Sequence, residues 1–391
     1  MTAPTGPAGA ASIERGRGAF DVPDDVAYFN AASLSPMLRS VRDAAGAALD
    51  RRSRPWEIAS KDWFTDVETL RGLFARLVGA DPGGDGVALI PATSYGFAVA
   101  ARNLRLGAGD RILVLADEYP SGIYTWQRAV RRTGAEILTV RREPGQTWTD
   151  AVLAGLDERV AIVSVPNVHW TDGALIDLEA VAARSREAGA RLVVDASQSA
   201  GVLPLDISTL QPDFLITVGY KWLLGPFGVA YMYVAEEHRD GEPLEENWIL
   251  RAGAQDFARL VDYQDDYQPG ARRYDVGART RFELVPMAVA ALSQILAWQP
   301  ANIAASLAEV TARIAQRAAA LGLGVPEPRG PHIVGVKVPD ELTGAVARAL
   351  ARARCFAGVR GDSLRIAPHL HVTDRDVSTL LGALEAAVRG G

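Results

Sequence analysis

The sequence predicts an α/β protein, with a seven-stranded, mainly parallel sheet sandwiched by helices and a smaller α+β domain. Three observations carry this expectation. From about residue 85 to 235, short apolar runs alternate with amphipathic helical stretches, the rhythm of strand–helix–strand units. That rhythm breaks over residues 236–280, which are dense in charges, aromatics and glycine. Beyond them come two long helical patterns and a chain end that reads helix, hairpin, helix.

The candidate strands are Val87–Pro91, Arg111–Leu115, Glu136–Val140, Val160–Val165, Arg191–Asp195, Asp213–Val218 and Val229–Val234. Between several of them lie stretches such as Leu178–Glu187, whose Leu178, Val181 and Ala182 share one helical face. The 236–280 segment is expected to be a long loop, and long ordered loops are commonly functional. Helices are expected over Glu283–Trp298 and around 301–321, then a hairpin (Phe356–Val359 with Leu364–Ala367) and a last helix from Thr373. In domain terms, residues 1–20 read as a flexible arm and 21–45 as a segment joining the small domain. Residues 46–280 are expected to form the large domain, which carries the candidate site, and 281–391 the small C-terminal one.

Composition narrows the function classes. Of 391 residues, 48% are apolar and 23% charged, the balance of a globular protein. A net charge of −6 gives no reason to expect nucleic acid or an acidic membrane surface as partner. One cysteine, Cys355, leaves no internal disulfide framework and fits a reducing cytoplasm. The first twenty residues lack a continuous apolar core, so no signal peptide is expected, and nowhere do eighteen apolar residues run together.

Lysine usage points to the chemistry. The chain holds only three lysines, Lys61, Lys221 and Lys337, against a large excess of arginine. Lys61 lies in a polar stretch and Lys337 ends an apolar strand before a Pro-Asp turn. Lys221 instead sits inside Phe214-Leu-Ile-Thr-Val-Gly-Tyr-Lys-Trp-Leu-Leu-Gly-Pro-Phe-Gly228, a hydrophobic run entering a glycine–proline loop. Burying an ammonium without a partner is costly and drives it neutral. A neutral amine is what a Schiff base with an aldehyde cofactor requires.

Other candidates cluster at strand ends, where ligands bind in such sheets. Asp195 closes Arg191-Leu-Val-Val-Asp195, 26 residues before Lys221. A carboxylate there can hold a pyridine nitrogen protonated, or simply cap a turn. Thr93 and Ser94, after the first strand, can cradle a phosphate at a helix N-terminus or serve as ordinary caps. Tyr119 follows the second strand and can stack on a planar ring or pack in the core. His169, in Asn167-Val-His-Trp, can contact a cofactor oxygen or the substrate, or merely be solvated.

Together these pieces resemble the class V aminotransferase superfamily of pyridoxal-phosphate enzymes, which includes cysteine desulfurases, kynureninases and isopenicillin N epimerase. The resemblance runs from Tyr28-Phe-Asn-Ala-Ala32 to Arg365-Ile-Ala-Pro-His, and is most specific in Val-Val-Asp-Ala-Ser-Gln-Ser-Ala-Gly and Tyr-Lys-Trp-Leu-Leu-Gly-Pro. It implies fold type I, with Lys221 as the Schiff-base lysine and Asp195 on the pyridine nitrogen. It further implies Gln198 near the phenolic oxygen, Tyr119 on the ring face, and Thr93 and Ser94 on the phosphate. Arg365 would grip the substrate α-carboxylate, a bidentate task suited to guanidinium, with Asn30 and Asn167 also on the substrate side. Homodimers with shared active sites are the family expectation, with Thr280 as a candidate contribution from the neighbouring subunit.

Departures from the family shape the expected reaction. Desulfurases carry His immediately before the lysine and Ser three residues before it, whereas this chain has Tyr220 and Val218. Tyr220 can take over a phosphate contact; Val218 cannot. Tyr-Lys and Val-His-Trp look like kynureninase. Cys355, in Ala-Arg-Ala-Arg-Cys-Phe-Ala, lacks the mobile flanking loop of a persulfide-forming thiol and reads as a buried apolar cysteine. The expectation is therefore a Cβ lyase acting on a cysteine S-conjugate or similar small amino substrate in bacterial secondary or thiol metabolism. Transamination and decarboxylating oxidative deamination are the alternatives, followed by epimerisation and desulfuration.

Overall fold

A computed structural model describes residues 10–390. Strand β1 is Ala27–Tyr28, and the seven that follow are β2 (Val87–Ile90), β3 (Arg111–Leu115), β4 (Glu136–Val140), β5 (Val160–Pro166), β6 (Arg191–Asp195), β7 (Phe214–Val218) and β8 (Ala230–Val234). These seven form one sheet in the order β2-β8-β7-β6-β5-β3-β4. All its pairings are parallel except those of β8, which runs antiparallel to both neighbours. A short connection explains β8: only the Lys221 loop separates it from β7, too little chain for the crossover a parallel strand requires.

Side chains alternate between the two faces, as the period of a strand demands. Leu113, Leu115, Val163, Val165, Leu192 and Val194 pack with Val181 and Ala288 into one core. Ile112, Val114, Ile162, Val193 and Ile216 pack with Phe97 and Trp126 into another. Both faces are covered, so the central strands are apolar throughout, the pattern of a buried parallel sheet.

A third core lies in the C-terminal portion, around strands β9 (Val334–Lys337), β10 (Cys355–Phe356), β11 (Gly358–Arg360) and β12 (Ser363–Ile366). The order β11-β12-β9 is antiparallel; helix Pro300–Ala320 packs beside β9, and helices Asp340–Arg352 and Asp374–Arg389 pack on each other and beside β10. The hairpin's first arm starts two residues and ends one residue later than expected, and its second arm runs one residue earlier. Gly361, with φ of 56°, lets a tight turn form at Gly361-Asp362, and Cys355–Phe356 is freed to pair parallel with β1.

Residues 1–9 of the expected arm lie outside the described residues. Residues 10–20 make several contacts with the rest of the chain. Ile13 N donates to Ser306 Oγ at 2.6 Å, Gly16 N to Leu370 O at 2.8 Å, and Arg17 pairs with the buried Asp376 at 2.7 Å. Phe20 is fully buried against Trp298 and His371. Over 236–280 the chain forms only short 3-10 turns, yet Asp275 anchors it firmly: Leu89 N and Arg71 Nη2 both donate to its carboxylate at 2.7 Å. No single helix among the described residues is long and apolar enough to cross a membrane.

Candidate active site

One cavity opens beyond the carboxyl ends of the sheet strands and collects side chains from five of their loops. Pro91–Ser94 follow β2, Glu118 and Tyr119 follow β3, Val168 and Trp170 follow β5, Asp195–Gln198 end β6, and Val218–Lys221 end β7. This convergence is the general consequence of parallel winding.

Lys221 is buried at the floor of the cavity. Burial pulls its amine down to about 8; Asp195 opposes the shift, and Arg365 and Arg360 add to it. Its Nζ lies 5.4 Å from the centroid of the Tyr119 ring. Asp195 points into the same space, with Oδ1 accepting from Ser197 N at 2.8 Å. Burial pushes this carboxyl up, although the Ser197 contacts and Lys221 pull the other way.

At the other end, helix Thr93–Asn103 starts at Ala92, an extended residue with no side-chain cap. Thr93 and Ser94 line the cavity there, so the helix presents a free N-terminus to it, the geometry that attracts anions. Gln198 lines the cavity but is clamped at both ends: Oε1 accepts from Trp222 Nε1 at 2.8 Å and Nε2 donates to Ala32 O at 3.1 Å. Tyr220 pairs with Phe227 at 4.6 Å between centroids, and both line the rim.

Arg365 is fully buried beside the cavity, on β12. Its Nη1 donates to Trp170 O at 2.7 Å and Nη2 to Asn30 Oδ1 at 3.4 Å, while Nε has no partner. Burial, and then Arg360 nearby, lower its pKa to about 10.

Arg365 and Asn30 stand behind the lining rather than in it, and three other sequence-derived candidates fall elsewhere. His169 faces away from the cavity: it stacks on Trp148 at 5.1 Å, with Nδ1 2.7 Å from Thr171 Oγ1 and Nε2 3.2 Å from Ala116 O. Backbone alternation decides this, since Val168 and Trp170 on either side are the ones that line the cavity. Burial lowers the His169 pKa, but Asp172, Glu118 and Ala116 O outweigh it and hold it above its ordinary value. Asn167 does not line the cavity either; its Nδ2 donates to Ile176 O at 3.0 Å, fastening the loop after β5. Thr280 donates to Trp63 O at 2.9 Å and borders a separate cavity with Arg52, Trp63 and Phe282.

Other residues escaped the sequence reading. Trp170 lines the cavity, edge-on to Tyr119 at 5.4 Å. Glu118 lines it too, with Oε1 accepting from Tyr119 N at 2.6 Å and Oε2 closed off from solvent without a partner. Burial pushes the Glu118 carboxyl up to about 7, against His169 and the Tyr119 amide. Both stand next to singled-out residues, but nothing in their neighbourhood pattern separates a lining side chain from a solvated one. Cys355 lies in the C-terminal core, where burial and then Asp376 push its thiol up to about 12.

The family model for Aminotransferase class-V matches residues 45–353. An uncharacterized aminotransferase, YcbU, from Bacillus subtilis is 28% identical over 91% of both chains. A kynureninase from Deinococcus radiodurans is 32% identical over 67% of this chain and 63% of its own. Among solved structures, the apo cysteine desulfurase of Thermococcus onnurineus superposes with a TM-score of 0.84 at 21% identity, covering 97% of this chain and all of that one (100%).

Proposed function

The chain belongs to the class-V aminotransferase family of pyridoxal-phosphate-dependent enzymes, and we propose that it cleaves the Cβ–sulfur bond of a cysteine S-conjugate or a similar amino acid. The residues of the cavity fit that cofactor. Lys221 offers a desolvated amine, Asp195 a buried carboxylate, and helix Thr93–Asn103 an uncapped N-terminus. In this reading Lys221 and Asp195 would hold the ring, with Tyr119 against it. Thr93, Ser94 and the first-turn amides would hold the phosphate, with Tyr220 assisting. Gln198 would serve the phenolic oxygen. When bound, the cofactor supplies an electron-poor ring that stabilises negative charge at the substrate Cα.

The protein's own groups do the rest. Arg365, steadied by Asn30 and Trp170 O, grips the α-carboxylate and orients Cα–H toward Lys221. An amine depressed to about 8 can both take and return a proton near neutrality, so Lys221 removes the Cα proton. The Cβ–S pair then leaves on sulfur, which is protonated to the thiol. With one water consumed, the balanced products are thiol, pyruvate and ammonia.

The observation that carries elimination over desulfuration is the position of Cys355. The chain's single thiol is buried in another core with a strongly raised pKa, so it cannot take up the substrate's sulfur as a persulfide. YcbU, similar along nearly its whole length and described as an aminotransferase, favours transamination as the second reading. Thr280 lies outside the Lys221 cavity of its own chain, so a role for it requires a second copy, and a homodimer is part of the proposal.

Product analysis by mass spectrometry, after holoenzyme meets S-alkyl-L-cysteines, tests this. Equimolar thiol, pyruvate and ammonia are expected. A keto acid that still carries its sulfur substituent would overturn elimination in favour of transamination.

A further inference from the structure

A second guanidinium stands beside Arg365 without a carboxylate of its own. In the β11–β12 hairpin, Gly358 lies directly opposite Arg365, and Arg360 is two residues further along β11. Residues two apart on a strand share a face, so Arg360 and Arg365 form a diagonal cross-strand pair on the same side. Diagonal neighbours lie within reach of long side chains, and the charge of Arg360 works against that of Arg365. Among the described residues, neither arginine forms an ion pair with a carboxylate, whereas the fully buried Arg71 and Arg279 both pair with Asp275.

Neither guanidinium lines the cavity itself, but both reach Trp170, which does. A Cβ at position 358 would sit 3.1 Å from Asn30 Oδ1 and 3.6 Å from Arg360 Nη1, so glycine leaves room for both groups. Arg360 lies over the ring of Trp170, 6.0 Å from its centroid, and Trp170 lines the cavity. Arg365 holds the carbonyl of that same Trp170. The half-buried Arg360 otherwise donates only to Val359 O, its own neighbour, at 2.6 Å. Its charge also reaches the floor of the site, since it contributes to the lowered pKa values of both Lys221 and Arg365.

We propose that Arg360 is a specificity-determining residue that binds a second carboxylate on the amino-acid substrate, beyond Trp170 and apart from the α-carboxylate held by Arg365. The natural substrate is then a dicarboxylic amino acid, with its second acid group on the substituent that extends from Cβ. This rests on the reading of the cavity as an amino-acid site, but not on which bond breaks there.

The test compares holoenzyme with its Arg360→Gln variant, using the visible cofactor band to follow ligand binding. A series of L-2-amino acids ending in a carboxylate is titrated against uncharged L-2-amino acids of the same length. The wild type is expected to bind at least one charged ligand about tenfold more tightly than its uncharged counterpart. Arg360→Gln is expected to lose that preference while leaving the uncharged ligands unchanged, and Arg360→Lys to keep part of it. An equal loss for both ligand series would overturn the proposal, because Arg360 would then serve the α-carboxylate or the hairpin alone. So would a wild type with no preference. Turnover of S-(2-carboxyethyl)-L-cysteine, followed in parallel by thiol release, separates the two claims. Selective binding without thiol contradicts the lyase reading and leaves the second-carboxylate site standing.

Discussion

Two groups of buried arginine solve the same electrostatic problem in opposite ways. Arg71 and Arg279, both fully buried, converge on Asp275, at 2.7 and 2.5 Å. Glu68 adds further contacts to Arg71, and Leu89 N completes the Asp275 carboxylate. Arg365 is equally buried, but its partners are a carbonyl and a distant amide oxygen, with no carboxylate among them. A charge matched by the protein's own carboxylate fixes structure; here it straps the 236–280 loop to β2. A charge left unmatched, beside a second guanidinium and a lysine held below its ordinary pKa, costs stability and marks where an anion belongs.

Breaking the matched group has the largest expected effect. Asp275→Ala strands two buried guanidiniums and is expected to destabilise the protein by about 3–5 kcal/mol in denaturant unfolding. A loss below about 1 kcal/mol would mean the strap is incidental.

Next comes Lys221, an unmatched cation whose folded pKa of about 8 lies below its ordinary 10.5. Between those values the unfolded chain binds more protons, so stability rises with pH there. Below about pH 8 the apoprotein carries the full cost, about 3 kcal/mol from the size of the shift. Lys221→Met is therefore expected to be more stable than wild-type apoprotein at pH 7, and to lose that advantage as pH climbs from about 8 to 10.5. Parallel unfolding curves at all pH values would contradict the buried, unpaired amine.

Arg365→Gln is expected to lower kcat/KM about a hundredfold, from about 2–3 kcal/mol of lost charge-assisted bonding, with unfolding stability unchanged or raised. A stability loss like that of Asp275→Ala would erase the distinction between the two groups. The smallest effect is assigned to Cys355→Ala. It leaves turnover and thiol release unchanged, because the thiol lies in the C-terminal core; a loss of activity with intact folding would revive desulfuration.

The sheet was legible in the sequence because its strands are buried on both faces, leaving uninterrupted apolar runs between helical stretches. Lys221 and Asp195 were legible for a related reason: a charged residue inside or ending such a run has few structural excuses. What sequence could not decide was direction. In Asn167-Val-His-Trp, strand-like alternation turns Val168 and Trp170 to the cavity and His169 to Trp148, and no composition cue reveals that parity. Arg360 falls between the two expected hairpin arms, and its diagonal place beside Arg365 appears only once the register is known. The contacts of residues 10–20 were not legible because backbone and ion-pair links to distant helices leave no apolar periodicity in Gly, Ala and Arg.

The most direct test of the account concerns the lysine on which the site is built. Holoenzyme reduced with borohydride, digested and mapped by mass spectrometry should carry the reduced cofactor on the peptide containing Lys221. The chain's other two lysines serve as internal controls: Lys61 sits in a short surface turn and Lys337 pairs with Asp362. Labelling confined to Lys221 is the predicted result. Label on Lys61 or Lys337, or no fixed label from a preparation that contains the cofactor, would contradict it.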